Sequence, residues 1–348
     1  MREVARSLTT ADLRRAADPL PRVSLAHLPT PLEEVPRFSD AVGGPRIYVK
    51  RDDCTGMAFG GNKTRHNEFI LADALRQGAD VLVWGAGVQS NNCRQTAAAC
   101  AKLGLECHLV LSRAAHQDDV QGNLLVDHLV GARVQIVDAP IGPELDAVIH
   151  AEADRLRAAG RRPYFFNRGP LRKLAAVSYL LCFAELADQL AERDVLPSAV
   201  YICSASATGA GLVLGKAALG VDWAVRNVLP IRWPWDEAED MARIANETSD
   251  LLDFDVRVTP DDVEVLSDYI GEGYGVPTPG GMEVLDLLAR MEGILLDPVY
   301  TAKAMAALVE DVRSGRLPDD RPVVFIHTGG TPALFAYRDE LMAMKREG

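Results

Sequence analysis

Gly60-Gly61-Asn62-Lys63-Thr64-Arg65 sets a single lysine between two glycines and a long amphipathic segment. The glycines allow the backbone to bend tightly, so the lysine is delivered to the mouth of a helix, where burial strips water from its amine and lowers its pKa. A neutral amine there is a nucleophile toward an aldehyde. A lone Gly-Gly-x-Lys is far more often an ordinary first-turn lysine contacting phosphate or solvent, so the surrounding stretches decide between the two.

On the N-terminal side, residues 1–45 are rich in charge and proline, and Leu28-Pro29-Thr30-Pro31-Leu32 reads as an extended, proline-stiffened strand or loop lying on a core. Ile47-Tyr48-Val49-Lys50 is a short strand, followed by the loop Arg51-Asp52-Asp53-Cys54-Thr55-Gly56. On the C-terminal side the pattern predicts helices over 67–77, 91–103, 122–130, 144–159 and 171–192. Between them it predicts strands at 81–84, 107–111, 134–137, 164–166 and 199–203, with Gly78 and Gly104 as helix stops. Strands alternating with helices at this spacing imply parallel βαβ units. Beyond them come an irregular loop at Trp233-Pro234-Trp235 leading to a helix, a glycine loop over 271–278, and helices over 282–291 and 303–313. A strand over 323–327 then runs into Thr328-Gly329-Gly330-Thr331, and a final helix ends the chain.

The 348 residues suffice for two domains, and 48% hydrophobic with 25% charged residues is the composition of a globular protein with a sizeable core. No apolar run reaches the length of a membrane span, and Met1-Arg2-Glu3-Val4-Ala5-Arg6 lacks the apolar core of a secretory signal, so the expected location is the cytoplasm. A net charge of −12 disfavours nucleic acid and acidic membranes as partners. The six cysteines form no C-x-x-C pair and the histidines no ligand-like cluster, so neither a disulfide framework nor a metal site is expected.

After the strand at 199–203 comes Ser204-Ala205-Ser206-Ala207-Thr208-Gly209, small residues entering a helix. Such a turn exposes backbone N–H groups at the positive helix end, an anion site. Tight packing of strand on helix selects the same small residues.

Six stretches then match one family in order: Lys50-Arg51-Asp52-Asp53, the Lys63 stretch, Val88-Gln89-Ser90-Asn91, Gly273-Tyr274-Gly275, Leu296-Asp297-Pro298-Val299-Tyr300 and Thr328-Gly329-Gly330. Together they resemble the D-cysteine desulfhydrase and 1-aminocyclopropane-1-carboxylate deaminase family, pyridoxal-phosphate enzymes of the tryptophan-synthase-β-like fold. The resemblance implies an α/β protein of fold type II with mainly parallel sheets. A smaller domain of residues 64–170 is inserted into a larger one of 1–63 and 171–348, with the cofactor, pyridoxal 5′-phosphate, in the cleft between them. It also implies a homodimer acting on a small amino acid.

Carried over, Lys63 forms the Schiff base, with Asn62, His66 and Asn91 beside the cofactor. Ser204, Ala205, Ser206, Ala207, Thr208 and Gly209 hold its phosphate, and Thr328 meets the pyridine nitrogen. A neutral partner there leaves the ring a weaker electron sink, which favours elimination over long-lived carbanion chemistry. Ser90, Tyr274 and Tyr300 face the substrate, whose carboxylate lies at Ser90 and the backbone of Asn91, Asn92 and Cys93. Read without the resemblance, Ser90 is also a helix cap, the tyrosines core aromatics, and Thr328 the end of a strand.

The departures carry information of their own. Asn92 stands where relatives commonly have His or Gln, and His66 where they often have a phosphate-facing lysine. Ser206 and Ala207 replace glycines, and a side chain at positive φ costs about 1 kcal/mol or more. Arg168 brings a cation to a segment that is usually glycine-rich; it either points to solvent or pairs with an acidic residue, or with His66 and Asn92 it suits a substrate with a second negative group, such as cysteate. Thr301 follows Tyr300 where the cyclopropane-opening members have glutamate. The expected reaction is therefore α,β-elimination on a β-substituted amino acid, giving pyruvate and ammonia. The alternatives are a β-replacement synthase, a ring-opening deaminase and a catalytically degenerate binding protein.

Overall fold

The computed structural model describes residues 7–113, 119–166 and 168–347, the side chains of 168 and 344–347 excepted. Among the described residues ten strands form two sheets: β1 (Leu32–Glu34), β2 (Ile47–Lys50), β3 (Val81–Gly87), β4 (Glu106–Ser112), β5 (Arg133–Val137), β6 (Pro163–Phe165), β7 (Ala199–Cys203), β8 (Ala224–Val228), β9 (Glu264–Leu266) and β10 (Val323–Ile326). The larger sheet has the order β1-β2-β10-β7-β8-β9 and the smaller β5-β4-β3-β6. Every pairing is parallel except β1 with β2. The central strands β2, β7 and β10 are buried along their whole length, so they read as continuous apolar runs rather than alternating ones.

Strand order reverses at β3 in the smaller sheet and around β7 and β10 in the larger. Such reversals open a crevice beyond the carboxyl ends of the strands. The segments that follow those ends are Val88 to Ser90 after β3, Ser204 to Ser206 after β7, and Thr328 after β10.

Three sequence expectations need correction. The N-terminal 45 residues hold two helices, Thr10–Ala17 and Pro36–Val42, besides the extended β1. Both carry start signals in the sequence: Thr9 and Asp12 form a capping box before the first, which is amphipathic, and a proline opens the second. The helix expected from residue 67 starts at Asn62. Its first turn is polar because tertiary partners engage it: Gln95 Oε1 accepts from Thr64 N at 2.9 Å, and the Arg65 guanidinium donates to Asp52 and Glu185 at 2.8–3.1 Å. Finally, Gly169–Ala191 is long and apolar enough to cross a membrane, yet most of it is buried inside the fold. It packs against Asn62–Arg76 and Ala207–Leu219, which accounts for its apolar surface.

Around the start of the Lys63 helix lies a buried ionic network. Lys50 Nζ, with no exposed surface, donates to Glu185 at 2.5 Å, Thr30 O at 2.7 Å and Gln189 Oε1 at 2.7 Å. Tyr179 donates to Asp52 Oδ2 at 2.6 Å. The charged residues of Lys50-Arg51-Asp52-Asp53 are thus scaffold: Lys50 and Asp52 bolt β2 and the Lys63 helix to the long helix that carries Tyr179 and Glu185.

Candidate active site

Gly60 and Gly61 have φ of +63° and +124°, and neither has room for a side chain. A Cβ would stand 2.0 Å from Asp53 O at the first and 2.6 Å from Gln95 Nε2 at the second. Ala58 and Phe59 before them also have positive φ, a strained backbone held from outside. Arg94, fully buried, donates to the carbonyls of Ala58 and Gly60, the latter at 3.1 Å, and to Asn123 Oδ1 at 2.6 Å. Thr55 Oγ1 accepts from Gly61 N at 2.7 Å and donates to Gly61 O at 3.0 Å. Lys63 emerges in the first helical turn on the wall of a cavity of about 220 Å³, together with Asn62, Ser90, Asn91, Asn92, Ser204, Ala205, Ser206, Thr208, Tyr274, Tyr300 and Thr328. Burial pushes its amine down to about 8.

Ser90 caps the helix Asn91–Leu103, its hydroxyl oxygen accepting from Cys93 N at 3.2 Å, and it lines the cavity as well. Both readings of this serine therefore coexist. Cys93 does not reach the cavity wall: its thiol is fully buried and its N–H is engaged by Ser90. The side chain of Asn91 accepts from Asn123 Nδ2 at 3.0 Å, and that of Asn92 from Thr96 Oγ1 at 3.2 Å.

Elsewhere on the cavity wall, Ser206 has φ −170° and Ala207 begins the helix Ala207–Leu219. Neither lies at positive φ, so the side chains that replace the family's glycines cost no left-handed strain. Ser204 Oγ accepts from Gly209 N at 2.8 Å, which turns that N–H away from any ligand. His66 lies behind Thr208, with Nε2 3.2 Å from the threonine hydroxyl, and lines an adjoining cavity of about 190 Å³ rather than the main one. Burial, then the neighbouring Lys63, holds its pKa well below 6.5, so it stays neutral. Asn62 Nδ2 donates to Thr208 Oγ1 at 3.2 Å, and its N–H to Thr328 O at 3.0 Å, which joins the ends of β7 and β10 to the lysine helix.

Tyr274 and Tyr300 face each other with hydroxyls 2.5 Å apart and rings edge to face. Burial raises Tyr274 to about 12 and Tyr300 well above its ordinary value, so both remain protonated at neutral pH. Thr301 points elsewhere: fully buried, its hydroxyl donates to Asp297 Oδ1 and accepts from Asp297 N, both at 2.7 Å. Arg168 opens the helix Arg168–Ala191, but its side chain lies outside the described residues.

Sequence reasoning missed Phe166, Trp233, Ile141 and Cys203, which also line the cavity. Phe166 and Cys203 stand at the carboxyl ends of strands, a positional cue. Trp233, in an irregular loop, stacks on Trp235 at 4.9 Å. Ile141 carries no signal of its own.

The wall as built fits a phosphorylated aldehyde of the pyridoxal type: a neutralisable amine, and in the same cavity a turn offering the Ser206 hydroxyl and first-turn N–H groups. Comparison with known proteins agrees. The pyridoxal-phosphate dependent enzyme family matches residues 23–329. D-cysteine desulfhydrases of Salmonella choleraesuis (strain SC-B67) and Salmonella paratyphi C (strain RKS4594) are 43% and 42% identical over 321 residues, 91% of this chain and 96% of each relative. The crystal structure of an ACC deaminase homologue superposes with TM-score 0.87 at 33% identity, covering 96% of this chain and 99% of that one. Diaminopropionate ammonia lyase of Escherichia coli shares the fold, with TM-score 0.67 at 15% identity over 98% of this chain and 94% of that one. The chain belongs to the pyridoxal-phosphate dependent enzymes of fold type II.

Proposed function

We propose that the protein cleaves D-cysteine by α,β-elimination, taking up one water and releasing pyruvate, ammonia and hydrogen sulfide. The observation that carries the reading is the Lys63 amine, lowered to about 8, in one cavity with a protonated tyrosine pair. Pyridoxal phosphate, when bound, supplies the electron sink that acidifies the Cα–H bond. Lys63 Nζ takes the α-proton as a neutral base. The Cβ–S bond breaks with its electron pair on sulfur, and the Tyr274–Tyr300 pair donates toward that sulfur, which leaves as sulfide.

The substrate carboxylate is held at the start of the helix Asn91–Leu103 by the Ser90 hydroxyl and the N–H groups of Asn91 and Asn92, where the helix dipole favours an anion. Ser206, Ala207 and Thr208 serve the cofactor phosphate. With His66 neutral, the helix end and hydroxyls do the work of the lysine found in relatives. Thr328 serves the ring nitrogen. In this reading residues 64–170, which contain the smaller sheet, act as the smaller domain over a cofactor seated on the larger one.

The experiment supplies D- and L-cysteine, cysteate, serine, chloroalanine and 1-aminocyclopropane-1-carboxylate to the cofactor-loaded enzyme and measures keto acid, ammonia and sulfide. Equimolar pyruvate, ammonia and sulfide from D-cysteine support the reading. An adduct that forms only with an added thiol makes the protein a β-replacement synthase, and no turnover makes it a binding protein.

The reading extends to a cytoplasmic homodimer. Helices Gly122–Leu129 and Ala333–Ala336 pack together and leave Leu125, Leu129 and Phe335 exposed, an apolar face suited to a second copy. Sedimentation velocity tests it, with Leu129→Glu expected to give monomer.

A further inference from the structure

Tyr274 lies between β9 and the helix Pro279–Glu292, in a segment without regular structure. Gly271 and Gly275 have φ of +68° and +81°. The backbone bonds inside this segment, Ile270 N to Ser267 O and Val276 N to Gly273 O, are long at 3.3 and 3.4 Å. Its outer side borders an open hollow of about 440 Å³ lined by Ser267, Asp268, Gly271 and Glu272, so little packing supports it there.

Two side chains fasten the segment from within. Lys303, with no exposed surface, donates from Nζ to Ile270 O at 2.7 Å and to Gly273 O at 3.1 Å. Tyr337, 1% exposed, donates to Gly275 O at 2.6 Å. The carbonyls on both sides of Tyr274 are thus pinned, at 273 by a cation and at 275 by a phenol. Lys303 belongs to the helix Thr301–Arg313, which starts immediately after Tyr300. One helix therefore carries the tyrosine partner at its head and the anchor of the opposing loop one turn later.

We infer that Lys303 is a positioning residue for the elimination: its buried ammonium, bound to two carbonyl oxygens, ties the Tyr274 loop to the Tyr300 helix and so sets the tyrosine pair. An ammonium with no exposed surface is costly without partners. Here both of its hydrogen bonds go to the one loop, and the nearby Asp297 carboxylate is already engaged by the N–H groups of Val299, Tyr300 and Thr301 and by the Thr301 hydroxyl. Displacing a reacting group by about 1 Å can cost about a hundredfold in rate, so loss of the tether reaches catalysis through Tyr274.

The inference rests on the elimination reading, which wild-type turnover of D-cysteine tests on its own. The experiment on the cofactor-loaded enzyme compares Lys303→Met, Tyr274→Phe and the double variant. Lys303→Met is expected to lower kcat/KM at least about tenfold and to raise hydrogen exchange in 267–278 but not in 81–112. The same replacement in the Tyr274→Phe background is expected to cost less than about twofold, because the tether then has nothing to position. Additive losses, or unchanged exchange in 267–278, overturn the inference. Lys303→Gln, which keeps N–H donors without the charge, covers an unstable methionine variant and is expected to fall between it and wild type. If neither variant folds, the lysine serves stability and the inference fails. A fifth arm, Lys303→Ala with added ammonium chloride, is expected to regain several-fold activity over sodium chloride at equal ionic strength. Equal response to both salts removes the cation from the argument.

Discussion

Gly329 packs so closely on Gly61 that a Cβ built on it would stand 2.7 Å from the Gly61 Cα. The contact joins the segment after β10, which supplies Thr328, to the turn that delivers Lys63, so the two walls of the site are set against each other by backbone alone. At φ +95° for Gly329 and +124° for Gly61, neither position suits an L side chain.

Gly329→Ala is therefore expected to destabilise the fold by more than the roughly 1–2 kcal/mol of the left-handed conformation, since the overlap adds to it, and to reduce turnover. Urea unfolding together with pyruvate release checks both. A variant with wild-type unfolding midpoint and rate would show that the two segments separate freely.

Lys63→Ala should abolish turnover and the visible absorbance of the cofactor-loaded protein, because no other lysine among the described residues lines the cavity. Absorbance and activity equal to wild type would falsify the assignment of the active amine.

With Lys63 lowered to about 8 against about 10.4 for an ordinary lysine, the amine of cofactor-free protein is protonated well below pH 8 and neutral above it. The rate at which added pyridoxal phosphate develops visible absorbance should rise with pH and level off above about 8. A rise continuing to pH 10 marks an unshifted amine.

Breaking the buried network at Arg65 leaves Asp52 and Glu185 with one fewer cation in a site where Asp52 has no exposed surface. Arg65→Met is expected to cost about 3–5 kcal/mol of stability, read from the denaturation midpoint. A loss under about 1 kcal/mol would show that Lys50 and Tyr179 suffice.

Thr301 is locked to Asp297 by reciprocal hydrogen bonds and does not line the cavity. The enzyme is accordingly expected to release no 2-oxobutanoate from 1-aminocyclopropane-1-carboxylate under conditions where D-cysteine is consumed. Comparable keto-acid release from both substrates would mean that ring opening needs no carboxylate at this position.

The sequence by itself determined the alternation of strands and helices, because burial of parallel strands on both faces writes continuous apolar runs such as Val81 to Trp84 and Ala199 to Cys203 into the chain. It also singled out Lys63 as the candidate amine, since a backbone turning through positive φ at Gly60 and Gly61 is a requirement that a glycine pair displays directly. Only the tertiary structure decided the rest. Asn62 to His66 begin a helix because Gln95, Asp52 and Glu185 engage them from elsewhere in the chain. Ser206 and Ala207 carry side chains in this turn without strain because the backbone there stays extended or helical. The 2.5 Å approach of Tyr274 to Tyr300, 26 residues apart in the chain, depends on Lys303 and Tyr337 gripping carbonyl oxygens. Every residue offers such an oxygen, so no pattern of side chains announces which ones will be held.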